Sequence, residues 1–271
     1  MGKAQQKKFW RIVKWILIIY IAVGILLYFI QDKILFHPKV LERSYAFQFN
    51  QPFTELNIPV SSTRNLNVVK FTVDSISKGI VLYFHGNRQN IERYAKFSKF
   101  FTDQGFEVWM MDYPGFGKST GDRKEQVMYH DAMLLYKMAI ALQPSENIII
   151  YGRSMGTGVA SQLASIRDCR HLILETPYYN IDALAKHYFP IYPVNPMSKY
   201  SFPTNEYLPF VKAPITIIHG TRDEVIPYKQ AKKLKEENSV INLITIEKGK
   251  HNNLSDYSIY NKTLEAILKK A

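Results

Sequence analysis

The chain has 271 residues, 46% of them apolar, which is enough to bury a substantial core in one domain plus an appendage. Its single cysteine, Cys169, excludes an internal disulfide and reads as a small buried residue; no Cys/His cluster has zinc-like spacing, so no metal and no cofactor are expected. The net charge of +12 fits either nucleic acid or an anionic membrane surface, and its distribution decides between them.

Lys3, Lys7, Lys8, Arg11 and Lys14 come first, with no acid among them. Residues 15–30, WILIIYIAVGILLYFI, then form an uncharged apolar run. It is short for a spanning helix, but Trp10 and the flanking lysines extend it by lying in the interface. A charged start before an apolar run also fits a cleaved signal peptide. The following YFIQDKILFHP, however, offers no small residues for cleavage. The expectation is therefore an uncleaved, single-pass transmembrane anchor over residues 1–31. The positive charge places its amino terminus in the cytoplasm, and residues from about 35 onward face outside. The basic excess is then mostly topological, and no nucleic-acid partner is expected.

Residues 32–271 read as one further domain. FTELNIPV (53–60) and LNVVKFTV (66–73) alternate with period two, as antiparallel strands do. The later runs GIVLYFHG (79–86), FEVWMMDY (106–113), NIIIYG (147–152), HLILET (171–176), PITIIHG (214–220) and VINLITI (240–246) are too continuously apolar for half-exposed strands. They suit a parallel sheet covered on both faces. Helical spacing lies between them, at Tyr94, Phe97 and Phe101, at Val127, Leu134, Leu135, Met138 and Leu142, and at Tyr257, Tyr260, Leu264, Ile267 and Leu268. The order predicts an α/β fold with a mostly parallel sheet. Residues 176–213 interrupt the alternation with six prolines and nine aromatic residues, which forbids one long helix. Such an interval is either a functional lid or a packed surface excursion.

Chemistry concentrates at Gly152-Arg153-Ser154-Met155-Gly156, between an Ile-rich strand and a segment of small residues. This is the nucleophile-elbow pattern, which projects the Ser154 hydroxyl beyond the strand's carboxyl end. Gly158, Ala160 and Ala164 would let the following helix approach the sheet. A serine needs a base, and the base needs an acid to hold its tautomer. Asp223 follows the strand ending at Gly220, and His251 follows the last strand, so the order is Ser…Asp…His. Glu224 and Glu247 are the weaker candidate acids. The backbone N–H groups of Met155 and Asn87 are the expected oxyanion hole. His85 is expected to shape the loop at Asn87, with Asp112 as a bracing group. His37, His130, His171, His187 and His219 default to structural roles. The run around Gly117-Lys118-Ser119 fails as a phosphate loop, because Asp112 stands where a glycine is required.

With FHGN (84–87), DYPGFGKS (112–119), GRSMGTG (152–158), ETPY (175–178), GTRDEVIP (220–227) and GKHNN (249–253), residues 32–270 resemble the α/β-hydrolase superfamily. Within it they are similar to the membrane-anchored, serine-aminopeptidase-like branch, which includes bud-emergence-type and depalmitoylating hydrolases. The resemblance implies an eight-stranded sheet, a Ser154/Asp223/His251 triad and esterase, thioesterase or peptidase chemistry, while the tether and the aromatic, short lid-like insertion at 176–213 point to a small-molecule or lipid-like acyl substrate. The rival reading is a binding protein that uses a hydrolase scaffold without catalysis.

Overall fold

The computed structural model describes residues 2–269. Eight strands build the central sheet: β1 Phe53–Pro59, β2 Asn65–Phe71, β3 Ile80–Phe84, β4 Glu107–Met111, β5 Ile148–Arg153, β6 His171–Glu175, β7 Ile215–Gly220 and β8 Asn242–Ile246. Their spatial order is β1-β2-β4-β3-β5-β6-β7-β8. The pairs β1·β2 and β2·β4 are antiparallel and every other pair is parallel, so the sheet is mixed with a parallel majority.

The continuous apolar runs follow from two covered faces. In β3, Ile80, Leu82 and Phe84 pack on one side with Met128 and Leu135 of α2 (Glu125–Ile140) and Val159 and Leu163 of α3 (Gly156–Ile166). Val81 and Tyr83 point to the other side, toward Phe101 and toward Tyr260, Leu264 and Ile267 of the terminal helix Ser258–Lys269. Each such side chain contributes about 1.5–3 kcal/mol by leaving water, which is why neither face tolerates alternation with polar residues. The helix expected over Tyr94, Phe97 and Phe101 is instead three short pieces. It begins at Ile91, where the Asn90 side chain accepts from Glu92 N, and a 3-10 turn separates Ile91–Tyr94 from Ser98–Thr102.

The amino-terminal helix α1 runs from Lys3 to Leu35, 33 residues, or about 50 Å at the usual rise. It is long and apolar enough to cross a membrane. It also continues without a break past residue 31, the expected border of the anchor, and ends only where Phe36 enters the core. The interval 176–213 divides in two. Its first half holds α4 (Ile181–Tyr188) and the turn Val194–Met197, broken apart by prolines. Its second half buries Tyr200, Phe202, Leu208 and Val211 in the core. Gly158 serves this second half and not the sheet: a Cβ there would lie 2.3 Å from the Tyr178 hydroxyl and 2.9 Å from Phe202 Cβ. Ala160 is the residue that faces Gly152 of β5.

Candidate active site

The turn at Ser154 is forced by its neighbours. Ser154 sits in the left-handed region at φ 52°, a conformation that costs a side chain of order 1–3 kcal/mol. Its N–H donates to Glu175 O at 2.9 Å and its carbonyl accepts from Thr157 N at 3.0 Å, so both flanks are tied down. Two glycines let the turn close. A Cβ on Gly152 would meet Ala160 Cβ at 2.7 Å, and one on Gly156 would lie 2.1 Å from Phe84 O at the end of β3. The Tyr178 hydroxyl donates to Met155 O at 3.0 Å and braces the elbow from the insertion side.

Three separate strand ends converge here. His251 Nε2 is 3.1 Å from Ser154 Oγ, and His251 Nδ1 is 2.8 Å from Asp223 Oδ2. A carboxylate only accepts, so Nδ1 carries the ring proton and Nε2 is left to accept from the serine hydroxyl. The other carboxylate oxygen, Asp223 Oδ1, accepts from Val225 N and Ile226 N, both at 2.8 Å. Ser154, Asp223 and His251 are 8%, 9% and 7% exposed, open to solvent only at the rim of a cavity. Glu224 reaches the main-chain N of His251 at 3.5 Å, and Glu247 accepts from Thr221, so neither holds the imidazole.

Gly86 lies beside the serine, since a Cβ there would be 3.5 Å from Ser154 Cβ. Asn87 follows it, with its carbonyl accepting from His37 N and its side chain donating to Leu35 O. The main-chain N–H groups of Asn87 and Met155 have no acceptor among the described residues. His85 is fully buried, with Nδ1 2.7 Å from Gly86 O and Nε2 3.2 Å from Asp112 Oδ1, and Asp112 Oδ1 also accepts from Ile91 N. This is the loop-shaping and bracing arrangement expected of that pair.

Two features carried no strong signal in the sequence. His219, assigned a structural role, has Nε2 2.9 Å from Ile226 O and 3.2 Å from Asp223 Oδ2, so a second histidine N–H stands beside the carboxylate that meets His251. Burial alone would raise the Asp223 carboxyl. The N–H groups of His219 and His251 outweigh that and hold it well below the ordinary carboxylate range. The available clue was position, because His219 stands at the end of β7, four residues before Asp223. The second feature is Glu175, buried beneath the elbow with Arg153 at 3.5 Å and bonded to the hydroxyls of Tyr151 and Tyr260.

A cavity of about 710 Å³ opens from Ser154 and His251, within the range of about 300–1,000 Å³ usual for ligand sites. Its walls are mostly apolar: Ile181, Leu184 and Tyr188 of α4, Met197, and Leu27 and Ile34 of α1. Arg88 and Arg93 stand at its exposed side, with Glu224 as the acidic member.

With this geometry in hand, known proteins can be compared. Residues 75–204 match the family described as serine aminopeptidase, S33. The human protein ABHD12B is 30% identical over 177 residues, 58% of this chain and 49% of that protein. The lysophosphatidylserine lipase ABHD12 of Xenopus tropicalis is 32% identical over 181 residues, 59% of this chain and 47% of the lipase. The esterase Pf2001 of Pyrococcus furiosus superposes with a TM-score of 0.67 at 20% identity, covering 87% of this chain and 97% of the esterase. The chain has the α/β-hydrolase fold, and its residues 75–204 resemble the serine aminopeptidase family. The chain spans about half the length of the curated relatives it matches. The strand order and the elbow at the carboxyl end of β5 are the features of the α/β-hydrolase that place its candidate residues on one rim of the sheet.

Proposed function

We propose that this α/β-hydrolase is a membrane-anchored serine hydrolase that cleaves carboxylic ester or thioester bonds of lipid-like acyl substrates. The observation that carries the reading is the hydrogen-bonded series Ser154–His251–Asp223 opening into an apolar cavity. In the proposed reaction, Ser154 Oγ attacks the substrate carbonyl as His251 Nε2 takes its proton. The resulting oxyanion accepts from the Met155 and Asn87 N–H groups, and Asp223 stabilises the imidazolium. His251 then returns the proton to the departing alcohol or thiol, leaving an acyl-enzyme on Ser154. Water, deprotonated by His251, attacks the acyl carbonyl; the bond to Ser154 Oγ then breaks as His251 returns the proton to that oxygen, and the acid is released. No metal or cofactor enters any step.

The name of the Xenopus relative, a lysophosphatidylserine lipase, supports a lipid ester as substrate. Peptidase action on free amino termini is the second reading, taken from the family's description. An α-ammonium group would need an acidic clamp. The cavity offers Glu224 alone against the guanidinium groups of Arg88, Arg93 and Arg153, which favours the acyl reading. The anchor at residues 1–31, with a cytoplasmic amino terminus and an extracytoplasmic hydrolase domain, belongs to the same proposal.

The test is fluorophosphonate labelling of the full chain, followed by a panel of p-nitrophenyl esters from butyrate to palmitate and aminoacyl-p-nitroanilides. The expected result is labelling that disappears in Ser154→Ala, with ester turnover above anilide turnover. An unlabelled wild-type serine in folded protein would favour the non-catalytic scaffold and end the reading. Protease accessibility of residues 36–269 from the two sides of sealed vesicles checks the orientation.

A further inference from the structure

The apolar run of α1 has a second face to explain. A tether needs only to be greasy on all sides, yet one stripe of α1 is built to fit the insertion. Tyr20 donates to Ile191 O at 2.9 Å and its ring stacks on Tyr192 at 4.7 Å. One helical turn on, Gly24 is the single buried residue of α1, and a Cβ there would approach the Tyr192 ring to 3.2 Å. Gln31 donates to Met197 O at 2.6 Å and accepts from Lys199 N at 2.8 Å, and Asp32 accepts from the Tyr200 hydroxyl at 2.6 Å. Residues 20, 24, 27 and 31 recur at helical spacing, so they lie on one face. Leu27 and Ile34 on this same side line the cavity that begins at Ser154, whereas Leu26 and Phe29 are exposed on the faces turned away.

We propose that α1 is a wall of the substrate site as well as an anchor: the acyl chain of a membrane-resident amphiphile lies along Leu27 and Ile34, between α1 and α4, with its carbonyl at Ser154. This rests on the acyl-hydrolase reading above and adds the element that measures the chain. The wall over residues 27–35 extends about 12 Å along the helix. It joins the apolar surface of α1 at Val23, one turn before Leu27 and 38% exposed, to the reaction centre. Tyr188 and Ile191, 49% and 71% exposed, present a second apolar rim on the insertion beside it. A chain can thus pass from the bilayer to the serine along apolar surface without crossing water, which removes the cost of hydrating it on the way.

The experiment uses the full chain in vesicles of phosphatidylcholine, with two variants of equal bulk on the same helix. Leu27→Trp fills the cavity, and Leu26→Trp adds the same ring on the face turned away. If α1 lines the site, Leu27→Trp raises KM for the palmitoyl ester roughly tenfold, the equivalent of losing about two methylene subsites. The loss on the butyryl ester is several-fold smaller than on the palmitoyl ester, and Leu26→Trp behaves as wild type throughout. Equal behaviour of the two variants, or an equal loss on butyrate and palmitate, overturns the proposal. A wild type that neither labels nor turns over butyrate fails the acyl-hydrolase reading itself, a result distinct from either of these.

Discussion

The rim of the sheet and the insertion beside it are built on opposite terms. At the rim, Ser154, Asp223 and His251 sit on strand ends whose backbones are bonded to neighbours, and each is at most 9% exposed. In the first half of the insertion, short helices are separated by prolines, α4 leaves Tyr188 half-exposed, and Ile191 lies open. Groups meant to exchange a proton need positions fixed to fractions of an ångström, which paired strands and the turns bonded onto their ends supply. The wall proposed for a flexible chain needs area and adaptability, which separate helical turns supply at less cost in burial.

The sharpest way to break this contrast is at the serine. Ser154→Ala is expected to lower kcat for p-nitrophenyl butyrate by about 10⁶ while the far-UV circular dichroism and Tm stay close to wild type. Asp223→Asn keeps the shape of the site but favours the wrong imidazole tautomer, and a loss of about 10⁴ in kcat is expected from the same assay.

His219 sharpens the comparison because it acts on the rim without touching substrate. Losing a hydrogen bond to a charged group costs about 1.5–3 kcal/mol, so His219→Leu should lower kcat by roughly ten- to a hundredfold with KM little changed. The sign of its pH effect follows from Asp223. In the wild type the carboxyl is held low and stays ionised throughout an assay from about pH 5 to 9, so the acid limb of kcat/KM has the slope of one proton. Removing the donor raises the Asp223 carboxyl, so its protonation moves toward the acid end of that range and steepens the acid limb of the Leu variant beyond one proton, and His219→Gln, which keeps an N–H donor, restores the one-proton slope. A purely structural role would lower activity equally at all pH values.

Smaller effects are expected in stability and in the wall. Gly156→Ala drives a methyl group against Phe84 O and should destabilise by about 1–3 kcal/mol, read as a fall of several degrees in Tm. Tyr192→Ala removes the ring stacked on Tyr20, and a few-fold rise in KM for palmitate with unchanged butyrate kinetics is expected. If it impaired both esters equally, the two regions would not be separable.

Much of the scaffold could be read in advance because its signals are local. A strand buried on both faces must be apolar throughout, and a tight turn such as that at Ser154 needs glycines two positions to either side. The same reasoning set Asp223 and His251 just beyond strand ends, where the structure brings them to hydrogen-bonding distance of one another and of the serine. His219 was passed over because its apolar surroundings match those of any core histidine, and its partner becomes visible only when the loop after β7 folds back. The insertion could not be assigned as lid or as packing, because its second half packs into the core while its first half lines the cavity.

The sequence by itself determined which segments become strands, where each chemically able side chain stands relative to a strand end, and that a long apolar helix precedes the domain. Residue type and short-range periodicity govern those outcomes. Only the tertiary structure decided that α1 continues to Leu35 and faces Ser154 across a cavity, and that two histidines share one carboxylate. Those contacts join residues far apart in the chain, such as Gln31 with Met197, and depend on how crossovers and prolines aim whole elements, for which no local pattern exists.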